Sequence, residues 1–208
     1  MSKSENKKVD SYAIIGFGNI GQALARAFAR NGIEVSVATT RDPESFSSAA
    51  AAIGPTIIPK TLAEAVKADI IFLAVRFESH RDVAKALPLM SKGGSIILTG
   101  SSAGSTGAPA FTAYSASKAA VRNLARTWAE DLKGTGIRVN VLSPGATATE
   151  LAKEALGEEG LKAYGSMTAL QRMGDPAEVG AAAAFLASSD SSFMTASEVA
   201  VDGGLAQL

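Results

Sequence analysis

Tyr114 and Lys118 stand four residues apart in Tyr114-Ser-Ala-Ser-Lys118, the spacing that projects two side chains from one face of a helix. A free phenol titrates near pH 10 and moves protons poorly at neutral pH. An ammonium one turn away favours the phenolate and draws its pKa toward the working range. Ser101 lies thirteen residues before Tyr114, at the mouth of the apolar strand Ser95-Ile-Ile-Leu-Thr99. There its hydroxyl is placed to hydrogen-bond the oxygen of a carbonyl being reduced. Taken together the three residues read as an acid/base set. The chain holds three tyrosines, and an ordinary surface helix also shows such i,i+4 pairs, so the elements that position the set decide its meaning.

The first of those elements is near the start of the chain. Tyr12-Ala-Ile-Ile15 reads as a short buried strand, followed directly by Gly16-Phe17-Gly18-Asn19-Ile20-Gly21 and a helix of Ala, Leu and Phe that ends at Asn31-Gly32. The glycines permit a tight turn and let the backbone approach a pyrophosphate. The helix N-terminus then attracts that anion through its free N–H groups and its dipole. The second strand, residues 34–39, is expected to end beside the adenosine ribose, where an NAD enzyme usually places a carboxylate. The residues there are Thr39, Thr40 and Arg41. A cation with two hydroxyls suits a 2′-phosphate, so the expected cofactor is NADP(H). Ala74, Val75 and Arg76, at the end of the strand 69–75, complete this side of the expected cofactor site.

From about Leu87 to the C-terminus the sequence resembles the short-chain dehydrogenases/reductases. The resemblance is carried by Gly94-Ser-Ile-Ile-Leu-Thr-Gly-Ser-Ser-Ala-Gly104, Tyr114 to Lys118, Ile137-Arg-Val-Asn-Val-Leu-Ser-Pro-Gly145, Arg172-Met-Gly-Asp-Pro-Ala-Glu-Val179, Phe185-Leu-Ala-Ser and Val201-Asp-Gly-Gly204. It implies that Ser101 is the catalytic serine and Tyr114 the acid/base. It implies also that Lys118 both tunes Tyr114 and holds the nicotinamide ribose. Pro144 and Gly145, with Thr147 and Thr149, match the family's nicotinamide-side loop. Residues 146–173 fall where the family places a substrate lid, and Gly157-Glu-Glu-Gly160 predicts a bend in it.

Residues 10–86 differ. The family's glycine loop is spaced otherwise, and its Asn-Asn-Ala-Gly after the fourth strand is replaced by Asp69-Ile-Ile-Phe-Leu-Ala-Val75-Arg76-Phe77. With Gly16 to Gly21 and Thr39 to Arg41, this stretch resembles the deazaflavin-dependent NADP oxidoreductases and their reductase relatives. The chain therefore reads as a join of two Rossmann lineages, natural or engineered, with the switch near residues 85–90. The family's additional catalytic Asn, carried on the helix after its fourth strand, has no counterpart in the helix expected from Ser79 to Met90.

Strands near 12–15, 34–39, 56–58, 69–75, 95–99, 137–142 and 198–201, with helices between them, alternate in βα order. Right-handed crossovers then predict one α/β domain over residues 10–208, a doubly wound parallel sheet in the order 3-2-1-4-5-6-7. A disordered tail is expected over residues 1–9.

The 208 residues, 47% of them apolar, are enough for one well-cored domain. Twenty acidic and 20 basic side chains leave no net field to recruit nucleic acid or an anionic membrane. Zero Cys and a single His argue against thiol chemistry and against a metal centre. No signal-peptide core and no long apolar run are seen, so a cytoplasmic protein is expected. His80 reads as a surface or capping residue. Trp128 reads as core with Val121, Leu124 and Leu132, and Ala181 to Phe185 as a packed helix.

The reading is an NADP(H)-dependent oxidoreductase moving hydride between nicotinamide and a small carbonyl or alcohol, with weak or no turnover, assembled as a homodimer through residues 116–132 and the C-terminal stretch. The alternatives are a catalytically silent NADP-binding chimera and, third, a deazaflavin reductase.

Overall fold

The computed structural model describes residues 11–75, 79–90, 92–107 and 109–206. The tail expected over residues 1–9 and Arg76 lie outside the described residues, as does the His80 side chain. Among the described residues there are seven strands: β1 (Tyr12–Ile15), β2 (Val35–Ala38), β3 (Ile57–Pro59), β4 (Ile70–Leu73), β5 (Ser95–Thr99), β6 (Arg138–Pro144) and β7 (Glu198–Val201). Between them run α1 (Asn19–Arg30), α2 (Ser47–Ala51), α3 (Leu62–Ala65), α4 (His80–Ala84), α5 (Thr112–Asp131), α6 (Glu150–Ser166) and α7 (Pro176–Ala187). The strand order is β3-β2-β1-β4-β5-β6-β7, the doubly wound order that the alternation of elements predicts. The chain falls into two compact units, Met1–Gly94 and Ser95–Leu208.

In the first unit β1 is central, parallel to β2 on one side and β4 on the other, with Ile14 opposite both Val37 and Phe72. A parallel strand covered on both faces needs an almost continuous apolar run, and Ala13, Ile14 and Ile15 are all buried. Ile14, Val35, Val37 and Ile57 pack with Phe17, Ala25, Phe46 and Ala50. The Phe28 ring meets Tyr12 at 5.3 Å and Phe72 at 5.8 Å between centroids. The helix expected over residues 79–90 is shorter, α4 giving way to a 3-10 turn over Leu87–Leu89. Pro88 is the cause. It has no N–H to offer the Ala84 carbonyl, and its ring would strike that carbonyl in a continued helix.

In the second unit β6 lies between β5 and β7, all parallel, with Ser95 opposite Arg138 and Pro144 opposite Val201. The helix α5 buries Val121, Ala125 and Trp128, and Leu132 just beyond its end is buried too. Leu186, Ala182 and Ala183 of α7 pack with Ile97 and Leu142. Phe185 is on the opposite side of α7 and 40% exposed, so only part of the expected packed helix faces the core. The bend expected between Gly157 and Gly160 is a kink of α6 at Gly157, where φ is 62°.

Two polar residues of the Ile137-Arg-Val-Asn140 motif serve the scaffold. The Arg138 guanidinium donates to the carbonyls of Leu186 (3.0 Å), Ser188 (3.1 Å) and Ser191 (3.1 Å) and to Ser191 Oγ (2.8 Å). Asn140, fully buried, donates to the Met194 carbonyl (2.9 Å) and accepts from Ser197 N–H (3.2 Å). Together they tie the connection between α7 and β7 to the sheet. Arg138→Ala removes a set of charge-assisted hydrogen bonds and is expected to lower the unfolding free energy by about 2–3 kcal/mol. Urea denaturation checks this, and an unchanged midpoint would contradict the assigned role.

Candidate active site

Chain reversal at Gly16 (φ 104°) carries β1 into α1, and the turn is closed by close approach. A Cβ on Gly21 would strike the Gly16 carbonyl oxygen, and one on Gly16 would strike the Ala74 carbonyl. Gly18 is different: the place of its missing Cβ has no heavy atom within 4 Å. It is also the N-cap of α1, with no side-chain cap and no acidic residue in the first turn. Open space over unscreened N–H groups at the positive end of a 12-residue helix is the donor set that an anionic pyrophosphate needs. The residues present therefore fit a dinucleotide. Phe17 is buried against Phe46, its ring centroid 5.7 Å away, so its side chain supports the turn from inside. Asn19 and Ile20 are exposed beside Gly18.

Beyond β2, Thr39 Oγ1 accepts the Arg41 N–H at 3.0 Å, a turn that leaves the Arg41 side chain exposed. Thr39, Thr40 and Arg41 line a cavity of about 260 Å³ together with Asp42, Thr61 and Asp82. Thr61 is engaged in a reciprocal cap with Glu64 at the start of α3. Asp82 is engaged with Lys85 at 2.9 Å, which holds its carboxyl below the usual range. Ala74 and Val75 follow β4, with Ala74 N–H donating to the Ile15 carbonyl at 2.8 Å.

In the second unit the predicted pair is together. The Lys118 ammonium lies over the Tyr114 ring, 5.6 Å from its centroid, and donates to the Thr99 carbonyl at 3.0 Å. Thr99 is the last residue of β5, so the strand end and the helix are joined through this nitrogen. Burial pushes the Lys118 pKa down. Tyr114 is 45% exposed and has Phe111 edge-on at 5.7 Å. Ala110, immediately before Phe111, is in the left-handed region (φ 65°), a conformation that costs a non-glycine residue about 1–2 kcal/mol. Ser101 caps the 3-10 turn Ser102–Gly104, its Oγ accepting from Ala103 N–H at 3.2 Å, and that turn packs on α5. Because the oxygen accepts, the hydroxyl hydrogen remains free to donate outward.

The loop after β6 is held mainly by its own backbone. Gly145 N–H donates to the Val201 carbonyl (3.0 Å), Ala148 N–H to Gly174 (2.9 Å), and Gly174 N–H to Ala146 (2.8 Å). Thr147 Oγ1 donates to the Gly145 carbonyl at 3.1 Å, and Thr149 caps α6 by accepting from Ala152 N–H at 3.1 Å. Both expected cofactor-binding hydroxyls thus have internal partners here. The Arg172-Met-Gly-Asp-Pro-Ala-Glu178 motif is likewise structural. Asp175 and Glu178 form a capping box on α7, and Arg172 grips Glu178 with two bonds of 2.7 and 2.8 Å. That grip, with the Asp175 N–H, holds the Glu178 carboxyl down at about 2.

Sequence reasoning did not single out Phe111, Thr99 or the polar residues around the Ser101 turn, Ser105, Arg122, Ser143 and Glu198. Arg122 alone had a signal, since it continues the Tyr114 and Lys118 stripe at i+4.

The doubly wound parallel sheet, the glycine turn ahead of α1 and the tyrosine–lysine pair against β5 define a Rossmann-type protein. The family described as Enoyl-(Acyl carrier protein) reductase matches residues 49–206, and the chain belongs to this family of short-chain dehydrogenases/reductases, which uses a nicotinamide cofactor. The match starts upstream of the lineage change expected near residues 85–90. Oxidoreductase asL5 of Sarocladium schorii is 70% identical over 125 residues, 59% of this chain and 50% of that protein. The 3-oxoacyl-acyl-carrier-protein reductase FabG of Thermotoga maritima is 40% identical over 117 residues, 56% of this chain and 47% of the relative. The chain thus spans about half the length of these relatives. A solved short chain dehydrogenase/reductase family protein superposes with a TM-score of 0.70 at 28% identity, over 96% of this chain and 99% of that one. Among the described residues no helix is long and apolar enough to cross a membrane.

The lowered pKa of Lys118 gives a measurable contrast with Lys153, whose pKa is raised by its hydrogen bond to Glu150. With the amines carrying carbon-13 methyl labels, NMR titration is expected to show Lys118 losing its proton at lower pH than Lys153. The sign for stability follows: between the folded value of Lys118 and its ordinary 10.5 the unfolded chain holds more protons, so this group's contribution to stability rises with pH there. Titration of Lys118 together with or above Lys153 would contradict its desolvation.

Proposed function

We propose that the chain is an NADP(H)-dependent oxidoreductase acting on a small carbonyl or alcohol. The observation that carries the reading is Lys118, a partly desolvated ammonium fixed between the Thr99 carbonyl and the Tyr114 ring. A desolvated cation is a stronger electrostatic partner than a solvated one, and this one lies beside the only proposed proton donor. Bound NADP(H) would supply or accept the hydride. Tyr114 Oη gives the proton to the carbonyl oxygen in reduction and takes it back in oxidation. The Ser101 hydroxyl, its oxygen already accepting from Ala103, donates to the same carbonyl oxygen and orients it. Lys118 spends one of its three N–H donors on Thr99, which leaves two for the ribose and for the field at Tyr114.

The cofactor preference rests on Arg41. Asp42 and Asp82 line that cavity with it; Asp82 is paired with Lys85, and the Arg41 side chain is exposed.

One observation favours a second reading, a silent NADP-binding scaffold of mixed lineage. The helix after β4 is only five residues long, and residues 79–90 contain no Asn to complete the family's proton relay. The glycine spacing, Thr39 to Arg41 and residues 69–77 support the mixed origin, while the family match beginning at residue 49 weighs against a junction as late as 85–90.

NADPH is expected to bind more tightly than NADH, and Arg41→Asp to abolish or reverse the preference. Fluorescence titration of both cofactors decides it, and equal affinities in the unmutated protein would sink the assignment. For the chemistry, Tyr114→Phe keeps the ring over which Lys118 lies but removes the only proposed proton donor. Turnover of NADPH with an activated ketone or aldehyde is expected to fall by about 100- to 10,000-fold, the range of general acid/base catalysis, with NADPH affinity nearly unchanged. Turnover that survives the substitution refutes the mechanism. NADPH binding without turnover over a broad carbonyl panel supports the silent scaffold.

A further inference from the structure

We infer that Ser105, Arg122, Glu198 and Ser143 form a polar clamp that fixes the Ser101 turn against the helix bearing Tyr114 and Lys118, with Arg122 as its positioning residue. The inference rests on the reading of Ser101, Tyr114 and Lys118 as the reacting set. Arg122 lies one helical turn beyond Lys118 on α5. Its Nη1 donates to Ser105 Oγ at 2.7 Å and stands 3.5 Å from Glu198 Oε2. The other carboxylate oxygen of Glu198 accepts from Ser143 Oγ at 2.6 Å.

Each end of this chain of contacts touches one side of the turn. Ser105 follows the 3-10 turn that Ser101 caps, and its N–H donates to the Ser102 carbonyl at 3.0 Å. On the other side, Gly100 precedes Ser101 and lies so close to Ser143 that a Cβ on Gly100 would strike Ser143 Oγ. Gly100 N–H also donates to the Leu142 carbonyl at 2.8 Å. Ser143 is 1% exposed, so its hydroxyl needs a partner, and Glu198 supplies one. The clamp therefore runs from Gly100 through β6 and β7 to α5 and back to Ser105, with Ser101 between its ends.

The arrangement is more than surface decoration. Arg122 and Glu198 retain only 32% and 24% side-chain exposure, so their interaction is screened less than that of an exposed pair. Both contacts leave from Nη1, so one guanidinium nitrogen reaches a hydroxyl and a carboxylate together. A Lys ammonium sits one bond closer to the backbone and falls short of that place.

The test compares Arg122→Met, which keeps the stem without the charge, with Arg122→Lys and Ser105→Ala, all in the full chain. Amide hydrogen exchange is read on peptides covering residues 99–107 and, as a control, on peptides from α6 and α7. In Arg122→Met, opening of the 99–107 segment is expected to be about tenfold more frequent, as befits loss of a charge-assisted hydrogen bond, with the control peptides unchanged. Ser105→Ala is expected to show the same localised effect in smaller measure, and Arg122→Lys to restore it only in part. In a protein that turns over, kcat is expected to fall about 10- to 100-fold, since an ångström of misplacement has an effect of that order, while NADPH affinity stays unchanged.

Unchanged exchange at 99–107 in Arg122→Met overturns the clamp. So does exchange that rises equally in α6 and α7 in both Arg122→Met and Ser105→Ala, because that is the pattern of a merely structural residue. Localised opening with kcat unchanged overturns the positioning role. If the unmutated protein shows no turnover, the proposed activity fails, and the exchange pattern alone then decides the clamp.

Discussion

An ammonium drawn out of water is the constraint on which the second unit depends. Moving a lysine charge into a partly buried place is unfavourable unless donors and dipoles replace its hydration. The replacements here are a strand-end carbonyl and an aromatic face: Thr99 at 3.0 Å and the Tyr114 ring at 5.6 Å. Parallel strands all present carbonyls at their C-terminal ends, and ligands of such sheets gather there for that reason. The strand β5 must stop at Thr99 and α5 must begin early enough for Tyr114 and Lys118 to lie over that end. The segment between them, with Ser101 in a cap and Ala110 in the left-handed region, absorbs the geometry.

Motifs shared with a family divide between chemistry and support, and the structure shows which do which. Arg138 and Asn140 hold the connection into β7, and Asp175, Glu178 and Arg172 cap and brace α7. Each of these side chains has a hydrogen-bond partner within the scaffold. Their presence therefore establishes a fold that can be built, whereas activity depends on a much smaller set whose geometry the same fold must hold within about an ångström. This separation allows a chain to belong securely to a family while its turnover is a distinct question.

Much of the architecture was legible from local pattern. The strands β1 and β5 coincide with their apolar runs, because a buried parallel strand must be nearly all apolar and glycine or polar residues bound it sharply. The Tyr114 and Lys118 pairing was legible for the same kind of reason, since helical spacing fixes which side chains meet. What was not legible depended on contacts between residues far apart in sequence. Ser143 and Glu198 are 55 positions apart and meet only because β6 and β7 are neighbours in one register. The break after α4 could have been found from Pro88 alone. The exposure of Phe185 could not, because α7 is apolar nearly all round and periodicity gives such a helix no preferred face.

The loop from Gly145 to Thr149 shows how resemblance and local physics can assign one residue two tasks. Family likeness gives Thr147 and Thr149 to the nicotinamide side of the cofactor, while here Thr147 Oγ1 donates to the Gly145 carbonyl and Thr149 Oγ1 accepts at the start of α6. The tasks are compatible, for different reasons. Thr149 accepts through a lone pair and keeps its hydroxyl hydrogen to donate, so the helix cap need not break when a ligand arrives. Thr147 uses its hydrogen internally and retains only acceptor capacity unless it rotates. The backbone bonds linking Gly145 to Val201 and Ala146 and Ala148 to Gly174 do not involve these hydroxyls. The loop is thus preorganised by its main chain, so a ligand held there would require side-chain rotation rather than loop rearrangement, which would keep the ordering cost of association low.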